Sequence, residues 1–135
     1  MFAPGALGGQ VAVVTGGGTN LGKAAAIELI RCGAAVVIAG RRADVLAEAS
    51  AAVGEGCSYV AADIREPSGA EAIITAALER HGRLDVLLNN AGGQYFAPAE
   101  AITAKGWRAV HRLNVDGTVA MSQSAYELAM RPGGR

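Results

Sequence analysis

Aromatic side chains make up only 4% of the 135 residues. Small residues take their place: glycine occurs 19 times and alanine is abundant. Small residues suit close packing of helices on a sheet, and they lower the apolar area each position can bury. Cysteine is nearly missing. Cys32 and Cys57 have no metal-ligand or redox spacing, so two buried free thiols in a reducing compartment are expected. An excess of either charge is missing too, because 12 Lys and Arg balance 12 Asp and Glu. Zero net charge argues against a nucleic-acid or membrane partner reached by electrostatics. No apolar run approaches the roughly 18–20 residues of a membrane span. The opening Met1-Phe2-Ala3-Pro4-Gly5 lacks the basic region and apolar stretch of a signal peptide, so a cytoplasmic location is expected. The histidines, His81 and His111, stand singly in helical stretches, where surface or capping roles and no metal are expected.

The chain is 51% hydrophobic and 18% charged, a composition that folds rather than staying disordered. Its length suffices for one domain with a core and not for two. Residues 10–15, 35–39, 57–61 and 84–89 are continuous apolar runs, as expected of strands buried on both faces in a parallel sheet. The run 84–89 is the clearest. Ala70, Ile73, Ile74, Ala77 and Leu78 recur at helical spacing, as do Val45, Leu46, Ala49, Ala52 and Val53. Glu66-Pro67-Ser68 predicts a helix start, with Pro in the first turn and Ser able to cap. Gly33, Gly54 and Gly82 follow helical stretches, where left-handed caps are expected. Residues 103–130 read as helix, and Asn114 and Gly117 in their middle predict a bend or irregular turn. Strands and helices thus alternate four times. Right-handed crossovers give an α/β, doubly wound parallel sheet with spatial order 3-2-1-4, the fourth strand across a switch point from the first. The ends, 1–9 and 131–135, are expected to be loosely held.

The sharpest local signal is Thr15-Gly16-Gly17-Gly18-Thr19-Asn20-Leu21-Gly22, which comes after Val11-Ala12-Val13-Val14 and opens a helix. Main-chain N–H groups at a helix N-terminus are unpaired and carry partial positive charge. A pyrophosphate there gains hydrogen bonds and a favourable dipole, and glycines let the anion approach the backbone. The bland alternative is a strand–helix turn whose glycines serve only sterics.

Three further pieces stand in order along the chain: Asp63-Ile64, Asn89-Asn90-Ala91-Gly92 and Leu113-Asn114-Val115. With the glycine turn they resemble the short-chain dehydrogenase/reductase family, over nearly the whole chain. A narrower likeness, in Gly92-Gly93-Gln94-Tyr95-Phe96, Pro98-Ala99-Glu100 and Lys105-Gly106-Trp107, is to the branch of trans-2-enoyl-CoA and dienoyl-CoA reductases. The resemblance implies a Rossmann-like fold and an oxidoreductase that uses a nicotinamide dinucleotide. Gly16, Gly18, Thr19, Asn20, Leu21 and Gly22 would wrap the pyrophosphate and nearby ribose. Asp63 would hydrogen-bond the adenine amino group, with a backbone contact from Ile64; its alternative is a cap or turn residue. Asn90, Ala91 and Gly92 would face the adenosine ribose. Asn114 matches the active-site Asn, which holds a water and positions a catalytic Lys; its alternative is a bond to a neighbouring carbonyl. Gln94 and Tyr95 could line an acyl-substrate entrance, or form an exposed loop. Trp107 reads as a core or interface anchor.

Two features modify this resemblance. Asn20 stands where the family has its second motif glycine; Asn tolerates left-handed φ, so the turn is expected to survive. Gly40-Arg41-Arg42 comes after the second strand, where an acidic residue would select NAD; two guanidiniums favour a 2′-phosphate, hence NADP (NADPH), with Arg41 the better candidate than Arg42. The resemblance implies that the fifth and sixth strands, the catalytic Ser and a Tyr-x-x-x-Lys pair lie beyond Arg135. Tyr59, Tyr95 and Tyr126 have no Lys four residues on. The sheet is therefore expected to be cut short after the fourth strand and following helix, with the C-terminal catalytic half absent. An open sheet edge predicts self-association, and a homo-oligomer is expected. The implied reaction is NADP-dependent reduction of an enoyl-CoA double bond, with a small-molecule acyl-CoA thioester as substrate. The alternatives are a 3-oxoacyl thioester or other carbonyl, and a non-catalytic nucleotide-binding fragment.

Overall fold

Side chains alternate between the two faces of a strand, and the apolar runs divide accordingly. Val13, Val37 and Ala39 belong to one core cluster, while Ala12, Val14, Val36 and Ile38 belong to another. Each face therefore needs its own helical cover. The computed structural model, which describes residues 3–131, supplies it as an α/β/α sandwich. Strands β1 (Val11–Thr15), β2 (Ala35–Gly40), β3 (Cys57–Ala61) and β4 (Val86–Leu88) form one parallel sheet in the order β3-β2-β1-β4. Helices α1 (Asn20–Arg31) and α2 (Ala43–Val53) cover one face through Ala26, Leu46 and Ala49. Helices α3 (Pro67–His81) and α5 (Gly117–Ala125) cover the other through Ala70, Ile73, Ile74, Ala77, Met121 and Ala125. The short helix α4 (Ala104–His111) precedes α5.

The predicted strand order is the observed one. Burial on both faces holds for β1 and for most of β2, but β3 and β4 are half exposed. They are the outer strands of the sheet among the described residues. The clearest run, 84–89, yields only Val86–Leu88. Leu84 and Asp85 are used otherwise: Leu84 is buried against the α3 side, and the Asp85 carboxylate accepts from Val11 N at 2.8 Å and from Arg83. Ala52 is exposed and drops out of the α2 stripe.

Helix ends also depart from expectation. Pro67 begins α3, but Glu66 is the cap position, and neither it nor Ser68 makes a side-chain capping bond. Gly82 is the left-handed cap expected, with φ +73° and ψ 0°. Gly54 has a positive φ but extended ψ, and Gly33 comes after Cys32, the actual cap residue of α1. Within the N-terminal stretch the described residues are held around Leu7: Leu7 N donates to Cys32 O at 2.8 Å, Gln10 N donates to Leu7 O, and Leu7 sits against the α1–α2 core. Residues 1–2 and 132–135, also expected to be loose, lie outside the described residues. Cys32 is buried, but Cys57 is only half-buried at the sheet's edge. Trp107 is 64% exposed, not in the core. His81 does not cap α3; its Nε2 is buried without a hydrogen-bond partner among the described residues.

The bend predicted near Asn114 and Gly117 takes a specific form. Residues Arg112–Asp116 form one turn of π-helix between α4 and α5. A π-turn inserts an extra residue into the helical ladder and so changes the facing of the side chains around it. Asn114 lies at the centre of this turn.

Candidate functional site

At the carboxyl ends of parallel strands, the crevice opens where the strand order reverses. Here that point lies between β1 and β4. A cleft of about 760 Å³ occupies it. Its lining includes Gly16, Gly18, Thr19, Asn20, Leu21 and Gly22 from the turn after β1, and Arg41 and Arg42 after β2. Asp63 and Ile64 after β3, Asn90, Ala91 and Gly92 after β4, and Asn114 from the π-turn complete the predicted set. Residues predicted from separate parts of the sequence thus meet in one place.

The glycine turn is built by close approach. Gly16 has φ +66°, and its N donates to Ala39 O at 2.7 Å, tying the turn to β2. A Cβ at Gly16 would lie 3.0 Å from Ala91 Cα. Asn20 adopts φ +44°, the one positive value among described non-glycine residues. Asn therefore takes the conformation for which the resembled motif uses glycine, and α1 starts there as expected. The first turn of α1 carries neither a side-chain cap nor an acidic residue. Its N–H groups and positive dipole end remain directed outward, the arrangement that suits an anion.

Beneath the turn lies a residue absent from the predicted set. Thr15 is 1% exposed, and its Oγ1 accepts from Asn90 N (3.1 Å) and Ala91 N (3.0 Å) while facing Leu88 O as donor (3.4 Å). A hydroxyl has one proton and two lone pairs, so this one is fully used. Asn90 answers across the same gap, its Nδ2 donating to Thr15 O at 2.9 Å and to Gly16 O at 3.3 Å. These bonds lock the ends of β1 and β4 together and set the cleft floor. The signal in the sequence is a threonine at a strand's end just before the glycines.

Asp63 carries the most perturbed carboxyl of the cleft. Hydrogen bonds from the Arg65 guanidinium, then the Arg65 backbone N–H and the charges of Arg65 and Arg41, outweigh its partial burial and hold its pKa at about 2. Because this value lies below the ordinary 3.8, the ionised form's stabilisation is complete above about pH 4 and is lost as pH falls through about 2. Asp63→Asn is expected to flatten the fall in Tm between those limits; an unchanged slope removes Asp63 from acid stability.

Asn114 is positioned by the π-turn so that its Oδ1 accepts from Gly93 N and its Nδ2 donates to Gly93 O, both at 2.8 Å. This pair of bonds fastens the segment after β4 to the helix. Arg112 of the same turn pairs with Glu66 at the start of α3, and Gly117 leaves room for Ile64, whose Cδ1 would lie 2.9 Å from a Cβ there. Gln94 lines the cleft, but Tyr95 does not: its ring lies over Gly106, where an added Cβ would be 2.8 Å away. Val45, Leu46, Leu113 and Thr118 also line the cleft. In the sequence Val45, Leu46 and Thr118 read as ordinary helix residues and Leu113 only as a neighbour of Asn114; packing places all four at the opening. Among the described residues no group of His, Cys, Asp or Glu could hold a metal.

Sheet order, parallel pairing, helices on both faces and the crevice define a doubly wound α/β protein of the Rossmann-like kind. The chain belongs to the short chain dehydrogenase family, whose model matches residues 10–135. It is 32% identical over 131 residues to a peroxisomal 2,4-dienoyl-CoA reductase of Danio rerio, covering 94% of this chain and 44% of that protein. It is 36% identical over 119 residues to a probable 2,4-dienoyl-CoA reductase of Bacillus subtilis (strain 168), covering 86% of this chain and 47% of that one. Among solved structures it resembles a citronellol catabolism dehydrogenase of Pseudomonas aeruginosa PAO1, with TM-score 0.89, 34% identity, and coverage of 96% of this chain and 54% of that chain. It also resembles a 3-ketoacyl-(acyl-carrier-protein) reductase of Brucella melitensis complexed with NADH, with TM-score 0.85, 32% identity, and coverage of 90% and 50%. The chain therefore spans about half the length of the relatives it matches.

Proposed function

We propose that this chain is the dinucleotide-binding portion of an NADP-dependent reductase acting on an acyl-CoA thioester, with an enoyl double bond as the reacting group. The observation that carries the cofactor reading is the pair of exposed guanidiniums at the cleft's β2 edge. Among the described residues neither the Arg41 nor the Arg42 side chain makes a hydrogen bond or ion pair. Both precede α2, where the helix dipole disfavours cations. Unpaired cations in an unfavourable place suit an anionic ligand, and a guanidinium fork matches a phosphate monoester.

The remaining residues fit the rest of such a ligand. Gly16 and Gly22 keep the turn clear where a Cβ would crowd it. The uncapped start of α1 would hold the pyrophosphate, and Asp63 with Ile64 would take the adenine. A nicotinamide bound here supplies a hydride. The chain's own part is to orient: Asn114 holds Gly93 in place, and Thr15 with Asn90 fixes the floor beneath. The acyl-CoA reading is supported by the dienoyl-CoA reductase relatives and by Gln94 beside the cleft.

Titration with NADPH and with NADH tests the cofactor. NADPH is expected to bind at least about ten times more tightly, and Arg41→Ala to remove that preference, since bonds to charged groups contribute about 1.5–3 kcal/mol and tenfold is about 1.4 kcal/mol. Equal affinities in the unaltered chain, or a preference that survives Arg41→Ala, overturn the 2′-phosphate role. For the substrate, NADPH oxidation by the gene product carrying this chain is compared on 2-enoyl and 3-oxoacyl thioesters. Turnover of the oxo compound alone replaces the enoyl reading, and dinucleotide binding with no turnover supports a non-catalytic role.

A further inference from the structure

The adenosine side of the cleft brings one carboxylate, Asp63, near the guanidinium of Arg41. Opposite charges at close range attract, and an ion pair between these two would occupy the cation offered to the ligand. The structure avoids that pairing. Asp63 is taken instead by Arg65, two residues further on. Arg65 Nε lies 2.9 Å from Oδ1 and 3.0 Å from Oδ2, Nη2 lies 2.5 Å from Oδ2, and the Arg65 backbone N–H donates to Oδ1 at 3.0 Å. A carboxylate offers about four acceptor positions, so the fork and the backbone together nearly saturate it. Arg65 itself is not part of the cleft lining; it approaches Asp63 from outside.

We propose that Arg65 is a specificity-determining positioning residue: by neutralising Asp63 and filling most of its acceptor positions, it keeps Arg41 free for a phosphate monoester on the ligand. The inference rests on the NADP reading above and names how that preference is protected. Without Arg65, the bare Asp63 carboxylate would draw Arg41 to itself and repel a 2′-phosphate. A ligand lacking that phosphate would feel little of either effect. The pair also keeps Asp63 oriented, since both oxygens are pinned to a planar fork.

The test is a double-variant cycle read by titration with NADPH and NADH in low salt. Arg65→Gln is expected to weaken NADPH about tenfold and NADH by less than about threefold. Asp63→Asn in the Arg65→Gln background removes the uncompensated charge and is expected to restore the NADPH-over-NADH preference to within about threefold of that of the unaltered chain, any loss at the adenine weakening both dinucleotides alike. Arg65→Lys, which keeps the charge and loses the fork, is expected to fall between. Equal weakening of both dinucleotides by Arg65→Gln means a merely structural role and overturns the proposal. Failure of Asp63→Asn to restore that preference means direct contact of Arg65 with the 2′-phosphate and overturns it too. If the unaltered chain shows no NADPH preference, the underlying reading and this inference fail together; a preference intact in Arg65→Gln sinks the Arg65 role alone. Thermal melts of each variant identify any that do not fold, and in that case Arg65→Lys with its own Asp63→Asn partner carries the same comparison.

Discussion

Gly22→Ala is expected to lower stability by about 2 kcal/mol and to weaken dinucleotide binding at least tenfold. Gly22 is buried in the first turn of α1. A Cβ there would meet the carbonyl oxygen of Gly16 and lie 2.5 Å from Asn90 Nδ2. The obstacle is a backbone atom and a side chain already committed to Thr15 O and Gly16 O, so neither can give way. Overpacking costs about 3 kcal/mol at its upper range, and the better helix propensity of Ala returns about 1 kcal/mol. The net loss corresponds to a Tm fall of roughly 5–10 °C. Gly40→Ala is the control: the nearest atom to its Cβ would be 3.6 Å away, an ordinary contact. It is expected to change stability by less than about 0.5 kcal/mol. Similar melting of both variants would show that Gly22 is not a point of closest approach.

Thr15→Val, nearly the same shape, is expected to cost about 2 kcal/mol. The change removes Oγ1 and leaves Ala91 N without that acceptor; Asn90 N retains only Leu88 O. An unsatisfied buried donor costs about 1–3 kcal/mol, whereas the transfer of a methyl in place of a hydroxyl is favourable. Loosening the β1–β4 junction also releases the cleft floor, so dinucleotide affinity is expected to fall with stability. Thr15→Ser keeps the hydroxyl and is expected to recover most of both. Denaturant melts of the three forms decide it, and a valine variant as stable as threonine would refute the role of these bonds.

Much of the candidate site was legible because its signals are local. The positive φ of Asn20 comes from the residue type that tolerates it, and the glycines announce a turn whatever surrounds them. The two-sided burial of β1 comes from an unbroken apolar run. The same reasoning failed at Leu84 and Asp85, where one apolar and one charged residue looked like strand and became a core plug and a long-range acceptor for Val11 N. At Trp107 the core half of the core-or-interface reading drops out, because the helix turns that face outward. Of the two readings of Tyr95, the exposed loop holds: the residue is half-exposed, and Gly106 offers its ring a flat surface to lie on.

Strand order, helix order and the positions around the crevice were determined by the sequence alone, because apolar period, turn chemistry and crossover hand depend on neighbours along the chain. Tertiary structure decided which partner each polar group takes. Thr15 meets Asn90 and Ala91 from 75 and 76 positions away, and Asn114 meets Gly93 only after a π-turn has rotated it. Asp63 and Arg41 meet in one cleft only in the folded chain, while the bonds to Asp63 come from Arg65, two residues on. Hydrogen bonds and ion pairs are short-ranged and directional, so their choice is made by the folded geometry and not by the order of residues.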